Sequence, residues 1–447
     1  RAEVTGAPSA RRSRTLRAHM PRLVRVLLLL LAALAVVHAA RTVWRQNERA
    51  AGLDFYIYFV NSQLAARDDI ENIYAPETQS RVGEEYYARA QSTQSELRRY
   101  DANRRRRLDN VSSPFLYTTL SWVSRDYDKA LRQYHAVVLF AFIGGTLLLA
   151  WRASIKPWLV LFLVAALLYW YRGFEADLRV GNVNALQLLA IGAMLAIAPR
   201  PPEDATNPPT GTRRGTIVRT ILSAALLGAL LAIKPNVIAV VALVAVSRVV
   251  TRNGPRLKLE LLGGAIGGLT AFVVTSIHYG TPRVWLQWLT AANQFWHRLP
   301  TRMERNIAPA LSWIDAYGTW VSYAIAALLF AIVCMALAKR KRADDLLLVS
   351  AGLLIYLLSA TVVWLHYLVL AIPAAIALLR WRGTAIVAIL ALLLMAEEPF
   401  EMTIGVQAFP IETWLITPSL VALFVCVVWK IVTPPPLPDP SLALGVV

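Results

Sequence analysis

Charge is scarce in this chain. Only 17% of its 447 residues are Asp, Glu, Lys or Arg, against about 25% in an ordinary soluble domain. With 57% apolar residues, that scarcity excludes both a disordered chain and a string of soluble domains. Cysteine is scarcer still. Cys334 and Cys426 both fall within apolar runs and no CxxC occurs, so neither a disulfide framework nor a cysteine-based zinc site is indicated. The six histidines are scattered, without HExxH. There is no Walker loop and no GxSxG, which removes the P-loop and the nucleophile elbow. Asp126-Tyr127-Asp128 has the DxD pattern, but a solvated acidic pair is the simpler reading. No metal is expected.

Apolar blocks are abundant. They cover residues 26–40, 136–151, 157–171, 183–198, 221–246, 261–277, 320–338, 346–363, 367–379, 384–396 and 414–429. About 20 apolar residues cross a ~30 Å hydrocarbon core, so the pattern predicts an all-α polytopic membrane protein of about 11–13 transmembrane helices. Residues 114–123 are apolar but short, which predicts an interfacial or re-entrant segment. The first block has a basic flank, and Val37-His38-Ala39 could pass as a cleavage site. It is read as a retained span, because many spans follow. Gly263-Gly264-Ala265-Ile266-Gly267-Gly268 predicts close helix packing.

Lys and Arg orient the spans, since short cytoplasmic loops are enriched in them. The basic loops 152–156, 213–219, 248–258, 339–342 and 380–382 go inside. So do the basic N-terminal segment 1–22 and the Pro-rich tail 433–447. The alternation fails only at 221–246, which has basic residues beyond both ends. Its centre is Ile233-Lys234-Pro235, and proline breaks a helix. A hairpin with Lys234 at its outer turn restores the alternation; one kinked helix with a snorkelling lysine is the alternative. The outer segments are then a long first loop (41–132), a short turn (172–182), 280–318 and 397–413. The inner segments hold 24 Lys+Arg against 7 acids, the outer ones 21 of each, and Lys234 completes the net +18. The positive charge therefore faces anionic membrane lipids, and nucleic acid is not a partner.

Several polar residues stand out against this background. Asp54 lies among aromatics in an amphipathic segment after the first span. It is either an N-cap or a carboxylate facing a cavity as general base. Asn182 is a plausible N-cap for the next span. Asn184 and Gln187 are three apart and share a face; they either glue helices together or bind sugar hydroxyls. Trp364-Leu365-His366-Tyr367 suits the aromatic belt of the interface, with His366 as a possible contact for an anion. Trp285, Trp288, Trp296, His297 and Arg298 read as an interfacial helix, or as a lid over a lipid or sugar. Arg104–Arg107 reads as a solvated face or as a lipid-headgroup contact, and Asn110-Val111-Ser112 is a sequon pattern without assigned meaning.

Taken in order, Leu53-Asp54-Phe55-Tyr56, Ser113-Pro114-Phe115, Gly181-Asn182-Val183-Asn184, Ile233-Lys234-Pro235 and Trp364-Leu365-His366-Tyr367 resemble glycosyltransferase family 87. That family contains polyprenol-phosphate-mannose-dependent mannosyltransferases and related arabinofuranosyltransferases of bacterial envelopes. The resemblance covers roughly residues 23–379. It implies a GT-C-like catalytic domain over residues 23–432, with membrane helices framing an outward-facing cavity. It places Asp54 where the family has its base and Lys234 where the family has its Lys-Pro lysine. Lys234 and His366 are then expected on the donor phosphate. Tyr56, Asn182, Asn184, Gln187, Trp364 and Tyr367 are expected on sugar or acceptor. This chain departs from the family where Asn182 replaces a frequent Gln, Leu365 a frequent acid, and Ser112-Ser113-Pro114 a Tyr-Pro-Pro form.

The chemistry is consistent with those residue types. Sugar transfer needs a base for the acceptor hydroxyl and a cation for the departing phosphate. One base without a second carboxylate nucleophile favours inversion. The expectation is a bacterial inner-membrane glycosyltransferase with its site on the extracytoplasmic face. It would move a sugar, mannose first, from a polyprenyl-phosphate donor to an envelope glycolipid or polysaccharide. The donor is a substrate, and no cofactor is expected. A transporter, a lipid flippase or a structural membrane partner is the rival class.

Overall fold

Hydrocarbon offers no partner to a bare backbone N–H or C=O, so an apolar block has to satisfy its own hydrogen bonds as a helix. The apolar blocks do form helices in the computed structural model, which describes residues 22–48, 50–65, 67, 69–199, 213–298, 306–340, 344–396 and 411–433. The expectations for most of the N-terminal segment, for most of 397–413 and for the tail lie outside the described residues.

Helix α1 (Arg22–Asn47) leads into four short helices, α2 (Leu53–Leu64), α3 (Pro76–Gln91), α4 (Glu96–Arg104) and α5 (Pro114–Thr119). The long α6 (Tyr127–Arg152), α7 (Pro157–Trp170), α8 (Arg172–Val180) and α9 (Asn184–Ile197) follow. Then come α10 (Arg213–Ile233), a 3-10 turn (Pro235–Val237), α11 (Ile238–Val250) and α12 (Gly254–His278). After α13 (Arg283–Arg298) and α14 (Leu311–Tyr317), the chain forms α15 (Trp320–Arg340) and α16 (Asp345–Ser359). A 3-10 segment (Leu365–Ala371), α17 (Ile372–Leu378), α18 (Arg382–Leu394) and α19 (Ile411–Val432) complete it. Among the described residues the only bridge is an isolated antiparallel one, between Tyr171 and Ala396.

Among the described residues six helices, α1, α6, α10, α12, α15 and α19, are long and apolar enough to cross a membrane, and the bent pair α8–α9 makes a seventh if counted as one span. The chain is an all-α polytopic membrane protein. The expected 11–13 spans are reached only if the shorter apolar helices of 10–17 residues also cross.

Two expected boundaries change. The first loop is shorter than 41–132, because α1 continues to Asn47 and α6 begins at Tyr127. Residues 172–182 are not a bare turn; α8 occupies most of them and meets α9 at 117°.

The chain reverses at Lys234. Near the start of α10, Arg219 Nε donates to the Ile197 carbonyl (2.8 Å) and Ser223 Oγ to the Met194 carbonyl (3.0 Å). Arg248, near the end of α11, lines one cavity with Ala198. Both far ends of the α10–α11 pair therefore lie at the C-terminal end of α9, and Lys234 lies at its N-terminal end. The glycine stripe acts as expected: a Cβ on Gly267 would sit 1.9 Å from the Ala225 carbonyl oxygen, so α10 and α12 touch backbone to backbone. Helix α13 lays Trp285 on Phe272 and donates Trp288 Nε1 to the Val111 carbonyl, while Leu286 and Leu289 stay exposed. The side chains of Trp296, His297 and Arg298 lie outside the described ones.

Candidate active site

Asp54 stands in the first turn of α2, where the helix dipole favours a carboxylate. It does not cap the helix; Gly52 is the N-cap. Its two oxygens face opposite partners. Arg105 Nη2 donates to Oδ1 (3.2 Å), and Asn182 Nδ2 donates to Oδ2 (2.7 Å). Both Asp54 and Arg105 keep 23% of their side-chain surface exposed, so the pair is reachable from solvent.

Asn182 arrives there through a glycine. Gly181 ends α8 in the left-handed region (φ 70°), and a Cβ on it would lie 2.5 Å from Phe55 Cβ. Only glycine permits both the turn and the close approach to α2. The Tyr134 hydroxyl donates to the Asn182 carbonyl (2.7 Å) and fixes the turn. Asn182 is not the cap expected from its position. Asp177 serves α9 instead, with Oδ2 accepting the Ala185 N–H (2.9 Å).

Lys234 enters from the α10–α11 break. Its Nζ donates to Asn184 Oδ1 (3.0 Å) and Asn182 Oδ1 (3.3 Å), and lies 4.1 Å from the Tyr367 ring centre. A lysine at this depth needs such partners, and the aromatic face adds a cation–π contact. Asn184 Nδ2 in turn donates to Asp177 Oδ1 (2.8 Å) and the His366 carbonyl (3.1 Å). The His366 ring stacks on Trp364 (5.7 Å between centres) and meets Tyr367 edge-on (4.7 Å). His366 Nε2 is buried without a partner, and such an atom is costly unless something occupies it.

Asp54, Asn182, Asn184, Lys234, Trp364, His366 and Tyr367 thus come together from four separate chain segments. Two expected residues do not join them. Tyr56 turns the other way on α2 and meets the Tyr127 ring edge-on, 5.3 Å away. Gln187 is closed off in an amide pair, its Nε2 donating to Asn236 Oδ1 (2.8 Å), which is helix glue.

Three members were missed in the sequence. Tyr58, one helical turn after Asp54, interacts electrostatically with Asp54 and Tyr367; the i, i+4 spacing was a usable signal. Arg105 and Asp177 gave none. In a run of four arginines nothing marks the one that turns inward, and Asp177 lay in an assumed turn. Arg106, next to Arg105 in that run, pairs with Glu84 instead (2.9 Å).

Helix α4 anchors this end. Arg105 Nε donates to the Leu53 carbonyl (3.2 Å). Asp101 Oδ2 accepts from the Tyr127 hydroxyl (2.5 Å) and the Gly52 N–H (3.3 Å). Burial pushes the Asp101 carboxyl up to about 6, against the lowering pull of the Tyr127 hydrogen bond.

Of the DxD acids, Asp126 caps α6 and Asp128 accepts from Ser95. Among the described residues no three His, Cys, Asp or Glu side chains form a metal-ligand group. The sequon residue Asn110 is buried against Asn61 (2.7 Å). In chemical terms the site holds a solvent-reachable carboxylate, a caged ammonium and an unpartnered imidazole nitrogen, ringed by aromatics. No family model matches the chain, and no curated protein or solved structure matches it.

Proposed function

We propose that the chain is an inverting membrane glycosyltransferase of GT-C architecture, similar to family 87. It moves a sugar, mannose first, from polyprenyl phosphate to an envelope glycolipid or polysaccharide on the extracytoplasmic face of a bacterial inner membrane. The observation that supports this reading is one hydrogen-bonded chain. It runs from Arg105 through Asp54 and Asn182 to Lys234. A base and a cation are held on opposite sides of a single carboxamide.

In this reading Asp54 takes the proton of the acceptor hydroxyl as its oxygen bonds the anomeric carbon. The bond from that carbon to the phosphate oxygen breaks, and polyprenyl phosphate leaves with the electron pair. Lys234 holds the phosphate charge, and His366 Nε2 supplies a further polar contact to it. Trp364, Tyr367 and Tyr58 present ring faces and hydroxyls to the sugar. Attack and departure on opposite faces invert the anomeric carbon.

The test is transfer from labelled polyprenyl-phosphate-mannose by membranes carrying the protein. A general base contributes about 10²–10⁴-fold, so Asp54→Asn is expected to lose at least about 100-fold in kcat. Lys234→Ala is expected to raise the donor KM. Undiminished transfer by Asp54→Asn removes the catalytic assignment. Movement of substrate across proteoliposomes without transfer replaces the enzyme with a transporter.

A further inference from the structure

A cavity of about 460 Å³ opens beside the end of α2, between residues 64–73 and residues 277–287 at the junction of α12 with α13. Ligand pockets measure about 300–1,000 Å³, so it is large enough for a small ligand. It is open to the outside, because Glu71, Ile277 and Gly280 line it and are exposed. Leu64, another lining residue, is the last residue of α2, and Asp54 stands in the first turn of the same helix. At about 1.5 Å per residue they are about 15 Å apart along the helix axis. Helix α2 is buried from Phe55 to Ser62, and none of Asp54, Asn182, Lys234 and His366 lines the cavity. The two sites are therefore separate.

Hydrogen bonds to backbone carbonyls set the walls. Gln287 Nε2 donates to the Glu71 carbonyl (3.1 Å) and ties α13 to the loop after α2. The Tyr279 hydroxyl donates to the Asn61 carbonyl (3.3 Å) and ties the end of α12 to α2. Arg67 is the only Lys or Arg among the described lining residues. It bonds Asp69 (2.8 Å) and Glu85 (2.8 Å), so its charge is already answered. Glu71 brings a carboxylate, Thr281 a hydroxyl and His278 an imidazole. His278 Nε2 is buried without a partner, a state that calls for one. Ile70, Ile73 and Val284 add apolar patches, and Tyr279 adds a ring. The Glu71 carboxylate repels an anion. A neutral ligand that matches such walls is a pyranose, which carries hydroxyls on its edge and C–H groups on its faces.

We propose that this cavity binds a pyranose unit of a glycan, at a site separate from the Asp54 cluster. Glu71 accepts from the sugar hydroxyls, and Thr281 and His278 add further polar contacts. The apolar patches and the Tyr279 ring receive a C–H face. The ligand class is read from the walls and does not require Asp54 to be a base. Its use, anchoring a glycan acceptor away from the reacting end, rests on the transferase reading; the binding does not.

The test is saturation-transfer NMR on the purified full chain in detergent, titrated with mannotetraose. The wild type is expected to give a saturable signal on the sugar protons. Glu71→Trp fills the cavity from an exposed loop position and leaves the backbone carbonyl that Gln287 uses. It is expected to weaken binding at least about tenfold, the worth of one hydrogen bond to a charged group, with the unfolding midpoint of wild type. If it fails to fold, Ile70→Trp fills the same space and decides. No saturable signal in the wild type overturns the proposal. So does undiminished binding in the filled variant, which would put the sugar elsewhere. Competition by glycerol 3-phosphate as strong as by mannotetraose also overturns it, in favour of a lipid headgroup. Transfer by Asp54→Asn tests the other site, so each reading can fail by itself.

Discussion

Asp101 offers a test of how the loop helices hold α2 in place. Its carboxyl is buried, Oδ1 has no partner, and burial lifts it from an ordinary value of 3.8 to about 6. At roughly 1.4 kcal/mol per decade that lift is worth about 3 kcal/mol. The sign follows from which state binds the proton. Below about pH 4 the carboxyl is protonated in both folded and unfolded chains, and its favourable contribution is fully present. As pH rises toward 6 the unfolded chain ionises first, and the contribution is lost. Asp101→Asn does not ionise, yet it keeps an acceptor for the Tyr127 hydroxyl or the Gly52 N–H. Its unfolding midpoint relative to wild type is therefore expected to climb by on the order of a few °C between pH 4 and 6, then stay level to pH 7.5. The assay is thermal unfolding of both proteins in one detergent across that range. A constant difference would show that Asp101 does not titrate in this window. A difference that falls with pH would show that the buried carboxylate is stabilised in its charged form, which refutes the reasoning.

Three further outcomes follow from the geometry. Tyr58→Phe is expected to lower transfer about tenfold, the worth of one hydrogen bond to substrate, while Tyr56→Phe stays within about twofold of wild type. Equal effects in the transfer assay would mean that the two faces of α2 are misassigned. Gly181→Ala places a side chain at φ 70° and 2.5 Å from Phe55 Cβ. Left-handed strain and overpacking together cost roughly 2–5 kcal/mol, so both the unfolding midpoint and activity are expected to fall; a protein that melts like wild type counts against the close approach. Gln187→Leu leaves Asn236 unpaired in a buried setting, at about 1–3 kcal/mol. The midpoint is expected to drop with no change in donor KM, and a changed KM would return Gln187 to the substrate site.

Much of the architecture was legible because hydrocarbon imposes a simple rule. Apolar blocks became helices, Lys234-Pro235 became a break, and the glycine stripe became a close crossing. Each is a local consequence of composition. Helix length was less legible, since α16 is an apolar helix of only 15 residues, buried along nearly its whole length. The site was half legible. Asp54, Asn184, Lys234 and His366 are odd residues for their surroundings, and oddness shows in one dimension. Arg105 is ordinary in a basic run and becomes particular only once α3 and α4 fold back on α2. There a Cβ on Gly83 would lie 2.0 Å from the Arg106 carbonyl oxygen, so the helix and the turn touch backbone to backbone. Tyr56 comes with the Leu53-Asp54-Phe55-Tyr56 motif, whereas the helical period counted from Asp54 points to Tyr58.

The converging segments share one property, that each is a place where a helix starts, stops or bends. Four meet here: the start of α2, the Gly181 turn, the Lys234 break and the 3-10 segment at His366. Each break frees backbone groups that hydrocarbon does not satisfy. Side chains around the site take up that role. Ser113 Oγ donates to the Ile233 carbonyl (3.0 Å), Asn184 to the His366 carbonyl and Tyr171 to the Leu368 carbonyl (2.7 Å). Polar residues at this end therefore serve stability as well as any chemistry. Asp54, Lys234 and Arg105 differ in degree. The bonds of Asp54 and Lys234 go to side chains, and Arg105 alone adds a backbone carbonyl, that of Leu53. Groups that carry charge to this end while satisfying little or no backbone are hard to explain as scaffolding, and that asymmetry supports reading the cluster as a site for an anionic, hydroxyl-rich substrate.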